Sequence, residues 1–119
     1  MRAALRADQG WVARIGETIV SFVTVQALFP ETWEITWLAV APDRHRQGIG
    51  RRLVETIIEE CRTAGAHLLL VKTLADQHPS PEYAQTRAFY RRLGFMPLAV
   101  LPELWGADTP CLLMVRPLS

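Results

Sequence analysis

The chain has 119 residues, 50% of them hydrophobic, with 13 basic and 12 acidic side chains and a formal net charge of +1. This length and balance describe one compact domain with enough apolar side chain for a core. They exclude a general nucleic-acid binder, whose basic excess spreads over a whole face. No run approaches the roughly 20 apolar residues of a membrane span, and Met1 to Asp8 holds no apolar stretch of secretion-signal length.

Trp11 to Ile15 and Thr18 to Phe29 are rich in β-branched and aromatic residues, and Gly16-Glu17 between them supplies a tight turn, which predicts a hairpin. The second strand is apolar on both faces and is expected in the middle of a sheet. Pro30 bends the chain into a third strand, Glu34 to Val40, which Ala41-Pro42-Asp43 ends. From Ile49, apolar residues recur at 49, 53, 57 and 61 with 54 and 58 beside them, while Arg51, Arg52, Glu55, Glu59 and Arg62 fill the other face. That is the spacing of an amphipathic helix, and Gly65 stops it. His67 to Thr73 is an apolar run of strand length whose default partner, after a strand and a helix, is a parallel neighbour reached by a right-handed crossover.

Ser80-Pro81-Glu82 supplies an N-cap, a proline at the first helical position and an acidic first turn, so a second helix is expected to run to Leu93 and stop at Gly94. Two last strands, near Phe95 to Leu101 and Cys111 to Arg116, are separated by Pro102 and Gly106, and Met1 to Ala7 is a further edge-strand candidate. The order β, β, β, α, β, α, β, β predicts an α/β (α+β) fold, a mixed sheet with helices packed on it. Cys61 and Cys111 lie far apart in apolar surroundings and read as reduced core thiols of a cytoplasmic protein. With His67 and His78 they show no metal-ligand spacing, so no metal site is expected.

The segment that carries chemistry is Arg44-His45-Arg46-Gln47-Gly48-Ile49-Gly50, between the strand Trp37 to Val40 and the helix from Ile49. A glycine-rich turn that opens a helix suits an anion, because free N–H groups point into it, the helix dipole favours negative charge, and glycine lets a phosphate approach the backbone. Arginines at 44, 46, 51 and 52 add positive charge. No Lys-Ser or Lys-Thr follows the glycines as a P-loop requires, and Leu53 stands where a dinucleotide fingerprint has its third glycine. The expected ligand is a pyrophosphate of another kind; the plainer alternative is a basic helix start on a solvated face.

The turn resembles the Q/R-x-x-G-x-G/A motif of the GNAT superfamily of acyl-CoA-dependent N-acetyltransferases. Two further segments resemble the same family in the same order: Glu34-Ile35-Thr36-Trp37-Leu38-Ala39-Val40 is similar to its fourth strand, and Ala88-Phe89-Tyr90-Arg91-Arg92-Leu93-Gly94-Phe95 to its A-x-F-Y-x-x-x-G-F segment. The resemblance implies a mostly antiparallel twisted sheet with a central, splayed parallel strand pair. It implies acetyl-CoA as cosubstrate, its pyrophosphate held by His45, Arg46, Gln47, Gly48, Ile49, Gly50 and Arg51, and its pantetheine arm paired to the backbone of Leu38, Ala39 and Val40.

Two catalytic candidates follow. A thioester is attacked only by a neutral amine, because an ammonium with pKa near ~10 has no lone pair. The resemblance places a general-base glutamate at Glu34, on the strand leading to the turn; the alternative is an exposed strand-end acid beside Glu31. The departing thiolate, with a parent pKa near ~8.5, benefits from a proton donor, and the resemblance places it at Tyr90; the alternative is an amphipathic tyrosine anchoring the core. Tyr83 stands where the family often has an asparagine contacting the pantetheine arm, and the face with Thr86 and Arg87 is expected to look at the cofactor.

His45 replaces the first Gln or Arg of the turn motif. Family members carry a strand and two helices before the hairpin that here begins at Trp11, so the expectation is a single domain over 1–119 without those helices. Its acceptor cleft is either open or completed by a second subunit in a homodimer. Trp33, Trp37 and Trp105 are candidates for an acceptor pocket, for the core or for subunit contact. The expected function is direct acetyl transfer to a primary amine, on a small molecule or a protein, in a ternary complex, with no nucleic-acid or membrane partner. The alternative is a non-catalytic acyl-CoA-binding or dimerisation module.

Overall fold

The structure, a computed structural model, describes residues 8–41, 48–75, 81–106 and 108–118. The edge-strand candidate at Met1 to Ala7, most of the turn after β3 and the N-cap Ser80 lie outside them. The elements run β1 (Asp8–Ile15), β2 (Thr18–Phe29), β3 (Thr32–Val40), α1 (Ile49–Thr63), β4 (Leu68–Leu74), α2 (Pro81–Arg92), β5 (Met96–Leu101) and β6 (Cys111–Pro117). The predicted order is therefore present, with ends shifted by no more than two residues except at the start of β1, which lies three residues earlier. The six strands follow the order β1-β2-β3-β4-β6-β5 in a mostly antiparallel sheet whose parallel pair is β3 and β4. Two compact units divide the chain, Met1–Leu69 with Leu118–Ser119, and Leu70–Pro117.

In the first unit, Gly16 turns the hairpin in the left-handed region, φ 62°, where a residue without Cβ meets no steric penalty. Trp11 pairs with Val23, and Val23 with Leu38, on one face of the three strands. Helix α1 buries Leu53, Val54, Ile57, Ile58 and Cys61 as its spacing requires, and Trp11, Val23, Val25 and Ile35 are buried with them. The expectation that β2, apolar on both faces, lies within the sheet is met, and only the face with Val23 is covered. Phe22, on the face opposite Val23, is 41% exposed.

One irregularity of β3 sets which of its side chains share a face. Thr24 pairs with Trp37 while the next residue, Val25, pairs with Ile35, so Thr36 is an extra residue on β3. Such a β-bulge breaks the period of two and re-aims the side chains beyond it. Ile35 joins Val25 on the buried face, and Glu34, opposite Gln26, joins Thr24 and Trp37 on the other. The Thr24 and Thr36 hydroxyls meet at 2.6 Å, as residues of one face do.

In the second unit, α2 buries only Tyr90, whose ring stands edge-on to Phe89 and Phe95 at centroid distances of 5.1 and 5.3 Å. Arg87 donates to the carbonyls of Leu74 and Ala75 at 2.6 and 3.2 Å, tying the helix to the end of β4. Gly94 ends the helix at φ 90°, and the Arg116 guanidinium lies against it, its Nε donating to the Leu93 carbonyl at 3.0 Å. A cation on the last carbonyls complements the helix dipole.

Candidate active site

Helix α1 starts at Gly48, which holds φ 76° and ψ 8°, the left-handed conformation, with no side chain capping the first N–H groups and no acid in the first turn. Most helices satisfy those groups with a Ser, Thr, Asp or Asn cap and set an acid against the positive end of the dipole. Here the opposite is built: Arg51 and Arg52 lie in the first turn, so the positive end of the dipole meets two cations and no acid, an arrangement that suits an anion. Arg51 reaches Glu55 at 3.4 Å in an exposed pair, of a kind worth ~0.3–0.5 kcal/mol and easily exchanged for a phosphate. His45, Arg46 and Gln47, the rest of the predicted cradle, lie outside the described residues.

Leu38, Ala39 and Val40, the predicted pantetheine partners, form the last turn-ward stretch of β3 and pair with Val23, Phe22 and Ser21 on the β2 side. Ser21 Oγ donates to the Ala39 carbonyl at 2.7 Å, which takes one of its two lone pairs and leaves the second. Glu34 sits inside β3 rather than at an exposed strand end: it is 7% exposed, and the strand begins two residues earlier. That removes the plainer of its two readings.

On α2, Tyr90 is 4% exposed, and burial pushes its phenol well above the ordinary tyrosine range. It keeps its proton throughout the physiological range. Tyr83 is on the exposed first turn of the same helix. The neighbouring polar residues expected to look at the cofactor are used otherwise: Thr86 donates to the Glu82 carbonyl at 3.1 Å, and Arg87 holds β4. Of the three candidate tryptophans, Trp33 is core, whereas Trp37 and Trp105 are exposed. Both cysteines are buried, and neither is in a disulfide. A groove of about 670 Å3 between the β1-β2 hairpin and the first half of α1 is lined by Arg14, Ile15, Val20, Ile49, Arg52 and Leu53 among others. It includes no residue of β3, so it is separate from Glu34.

The sequence contained no sign of the bulge. Plain alternation puts Glu34 with Thr36 and Leu38, and Trp37 on the opposite face. The register instead puts Glu34, Thr36 and Trp37 together.

Comparison with known proteins agrees with this architecture. A search of curated proteins returned no match. Among solved structures, an acetyltransferase assigned to the GNAT family from Desulfovibrio desulfuricans superposes with a TM-score of 0.84 at 26% identity, over 95% of this chain and 71% of that one. An aminoglycoside 6'-N-acetyltransferase complexed with coenzyme A gives 0.81 at 22% identity, over 95% and 74%. The ribosomal-protein-S18-alanine N-acetyltransferase from Escherichia coli gives 0.80 at 24% identity, over 95% and 70%. The last two, at such identities, attest to the fold. The model of the acetyltransferase (GNAT) family matches residues 2–95. The chain therefore belongs to the acetyltransferase (GNAT) family, and it is an N-acetyltransferase with acetyl-CoA as its acyl donor.

Proposed function

We propose that this enzyme transfers acetyl directly to a primary amine in a ternary complex, with Glu34 as general base, Tyr90 as general acid, and the turn from His45 to Arg51 holding the coenzyme pyrophosphate. The observation that carries the reading is the start of α1: a left-handed glycine, no side-chain cap, no acid in the first turn and two arginines within it. These residues fit a diphosphate. Bound acetyl-CoA supplies an electrophilic thioester carbonyl and a thiolate leaving group.

Glu34 takes the proton that the attacking amine must shed, and its burial within β3 keeps its carboxylate away from bulk water. Leu38, Ala39 and Val40 offer backbone groups to the pantetheine arm, and Tyr83, in the first turn of α2, is a further residue assigned to the cofactor in this reading. Tyr90 holds its proton at every physiological pH, so a hydrogen bond from its hydroxyl strengthens as the sulfur gains charge. Because the raised phenol is a weaker acid than a thiol titrating near ~8.5, Tyr90 would serve the departing sulfur chiefly as a hydrogen-bond donor, the final proton being supplied as the product leaves.

The acceptor is a small molecule or a protein amine. A cytoplasmic location fits the two buried cysteines, neither in a disulfide; separately, among the described residues no helix is long and apolar enough to cross a membrane. We also propose a homodimer, supported by the exposed apolar side chains Met96, Leu98 and Val100 on the edge strand β5 and Leu104 and Trp105 just beyond it. Contiguous exposed apolar surface of this kind marks association sites. Calorimetric titration with coenzyme A tests the central reading. Saturable binding that weakens when Gly48 is replaced supports it, and no binding overturns it.

A further inference from the structure

A second concave site lies within the first unit, where the β1-β2 hairpin meets the first half of α1. Ala13 pairs with Ser21 and Arg14 with Ile19, so Val20 is an extra residue on β2. Such a bulge increases the local twist. Four successive residues of β1, Val12 to Ile15, line the one groove, whereas a flat strand turns alternate residues to opposite faces. Its apolar lining is graded: Val20 and Leu53 are buried at 4% and 2% exposure, Val12 and Ile49 are intermediate, and Ile15 is 45% exposed. The volume of about 670 Å3 is that of a small-molecule site. Of the residues assigned to the cofactor, the groove includes Ile49 alone.

The polar lining is Arg14, Arg52 and Thr56. Neither guanidinium is in an ion pair among the described residues. The acids of the bounding elements do not line the groove: Asp8 begins β1, Glu17 is in the hairpin turn, Glu55 pairs with Arg51, and Glu59 and Glu60 belong to the second half of α1. The positive end of the α1 dipole adds to the two cations. A second copy seated here about a two-fold axis would set its own Arg14 and Arg52 against these, like charge on like. Aliphatic walls with cations among them fit an amphipathic anion instead. From Ile49 to Thr56 the groove follows α1 for about 10 Å, the length of roughly eight carbons. We propose that this groove binds a medium-chain carboxylate, its alkyl chain lying along Val20, Ile49 and Leu53 and its carboxylate drawn by Arg14 and Arg52.

Calorimetric titration of the full chain with octanoate, octylamine and hexanoate tests this. Octanoate is expected to bind saturably and roughly tenfold tighter than octylamine, the swing from attraction to repulsion at two exposed arginines. It should also bind about tenfold tighter than hexanoate, which is two methylenes shorter. Arg14→Gln should reduce the preference over octylamine to about threefold, and Ile15→Asp should weaken octanoate by about tenfold. Both positions are exposed, and an unchanged melting temperature checks that each variant is folded. Octanoate should still bind in the presence of excess coenzyme A. Absence of saturable binding, equal affinity for octanoate and octylamine, indifference to both substitutions, or displacement of octanoate by coenzyme A overturns the proposal. So does binding of an acidic, leucine-rich peptide with none of octanoate, which makes the occupant a protein.

Discussion

At Glu34, the proposed base, one carboxylate is held inside a strand. Replacing it by glutamine keeps the shape and the hydrogen-bonding reach but removes the proton acceptor. Glu34→Gln is expected to lower kcat by on the order of a hundredfold or more while coenzyme A affinity, read by calorimetry, stays within twofold. It should also remove the limb of the pH–rate profile that belongs to the base. Tyr90→Phe keeps the ring that packs on Phe89 and Phe95 and removes only the hydroxyl. A fall in kcat of roughly tenfold to a hundredfold at unchanged cofactor affinity is expected; unchanged turnover in both variants would defeat the two roles. At this scale the sequence was informative about residue identity, because the Glu and the Phe-Tyr pair stand in family motifs. It was silent about company: alternation separates Glu34 from Trp37, and only the inserted Thr36 brings them to one face.

Helix α1 is the element on which the proposed cofactor site depends, and its two ends were readable for different reasons. The buried stripe Leu53, Val54, Ile57, Ile58 and Cys61 is dictated by helical spacing. Ile57→Ala, at a fully buried site, should cost about 2–5 kcal/mol in denaturant unfolding. The start of the helix rests on Gly48, whose Cβ position is sterically open but whose φ of 76° is strained for any other residue. An alanine there costs roughly 1–2 kcal/mol in the left-handed conformation. The cap relieves that strain by leaving the conformation and turning its N–H groups away. Gly48→Ala is therefore expected to weaken coenzyme A binding by up to about tenfold with little change in the melting temperature. Helix α2 was less legible: its polar face was expected to serve the cofactor, yet Arg87 is committed to the carbonyls at the end of β4. A guanidinium seeking carbonyls and one seeking phosphate look identical in a sequence.

For the whole molecule, the buried ionisable groups predict how stability and reactivity vary with pH. Burial raises the Tyr90 phenol above its ordinary value of 10.0. Below about pH 10 folded and unfolded chains both hold this proton and it adds no pH dependence. Above it the unfolded chain releases the proton first, so stability falls as pH rises. Chemical denaturation between pH 9 and 11 should show this loss in the wild type and less of it in Tyr90→Phe. Burial, with a smaller contribution from Glu60, pushes the Cys61 thiol up to about 12. A thiol reagent at pH 8 should therefore label Cys61 only on unfolding.

Length, hydrophobic spacing and turn residues were enough to determine the element order, the helix limits at Gly65 and Gly94, and the family motifs, because each of these is a local property of a short stretch of chain. Tertiary structure alone decided which side chains share a surface. A single extra residue in β3, invisible to any period, reversed the face on which Glu34 lies. The pairing of Thr24 with Trp37 and Val25 with Ile35 is a relation between strands that neither strand states by itself.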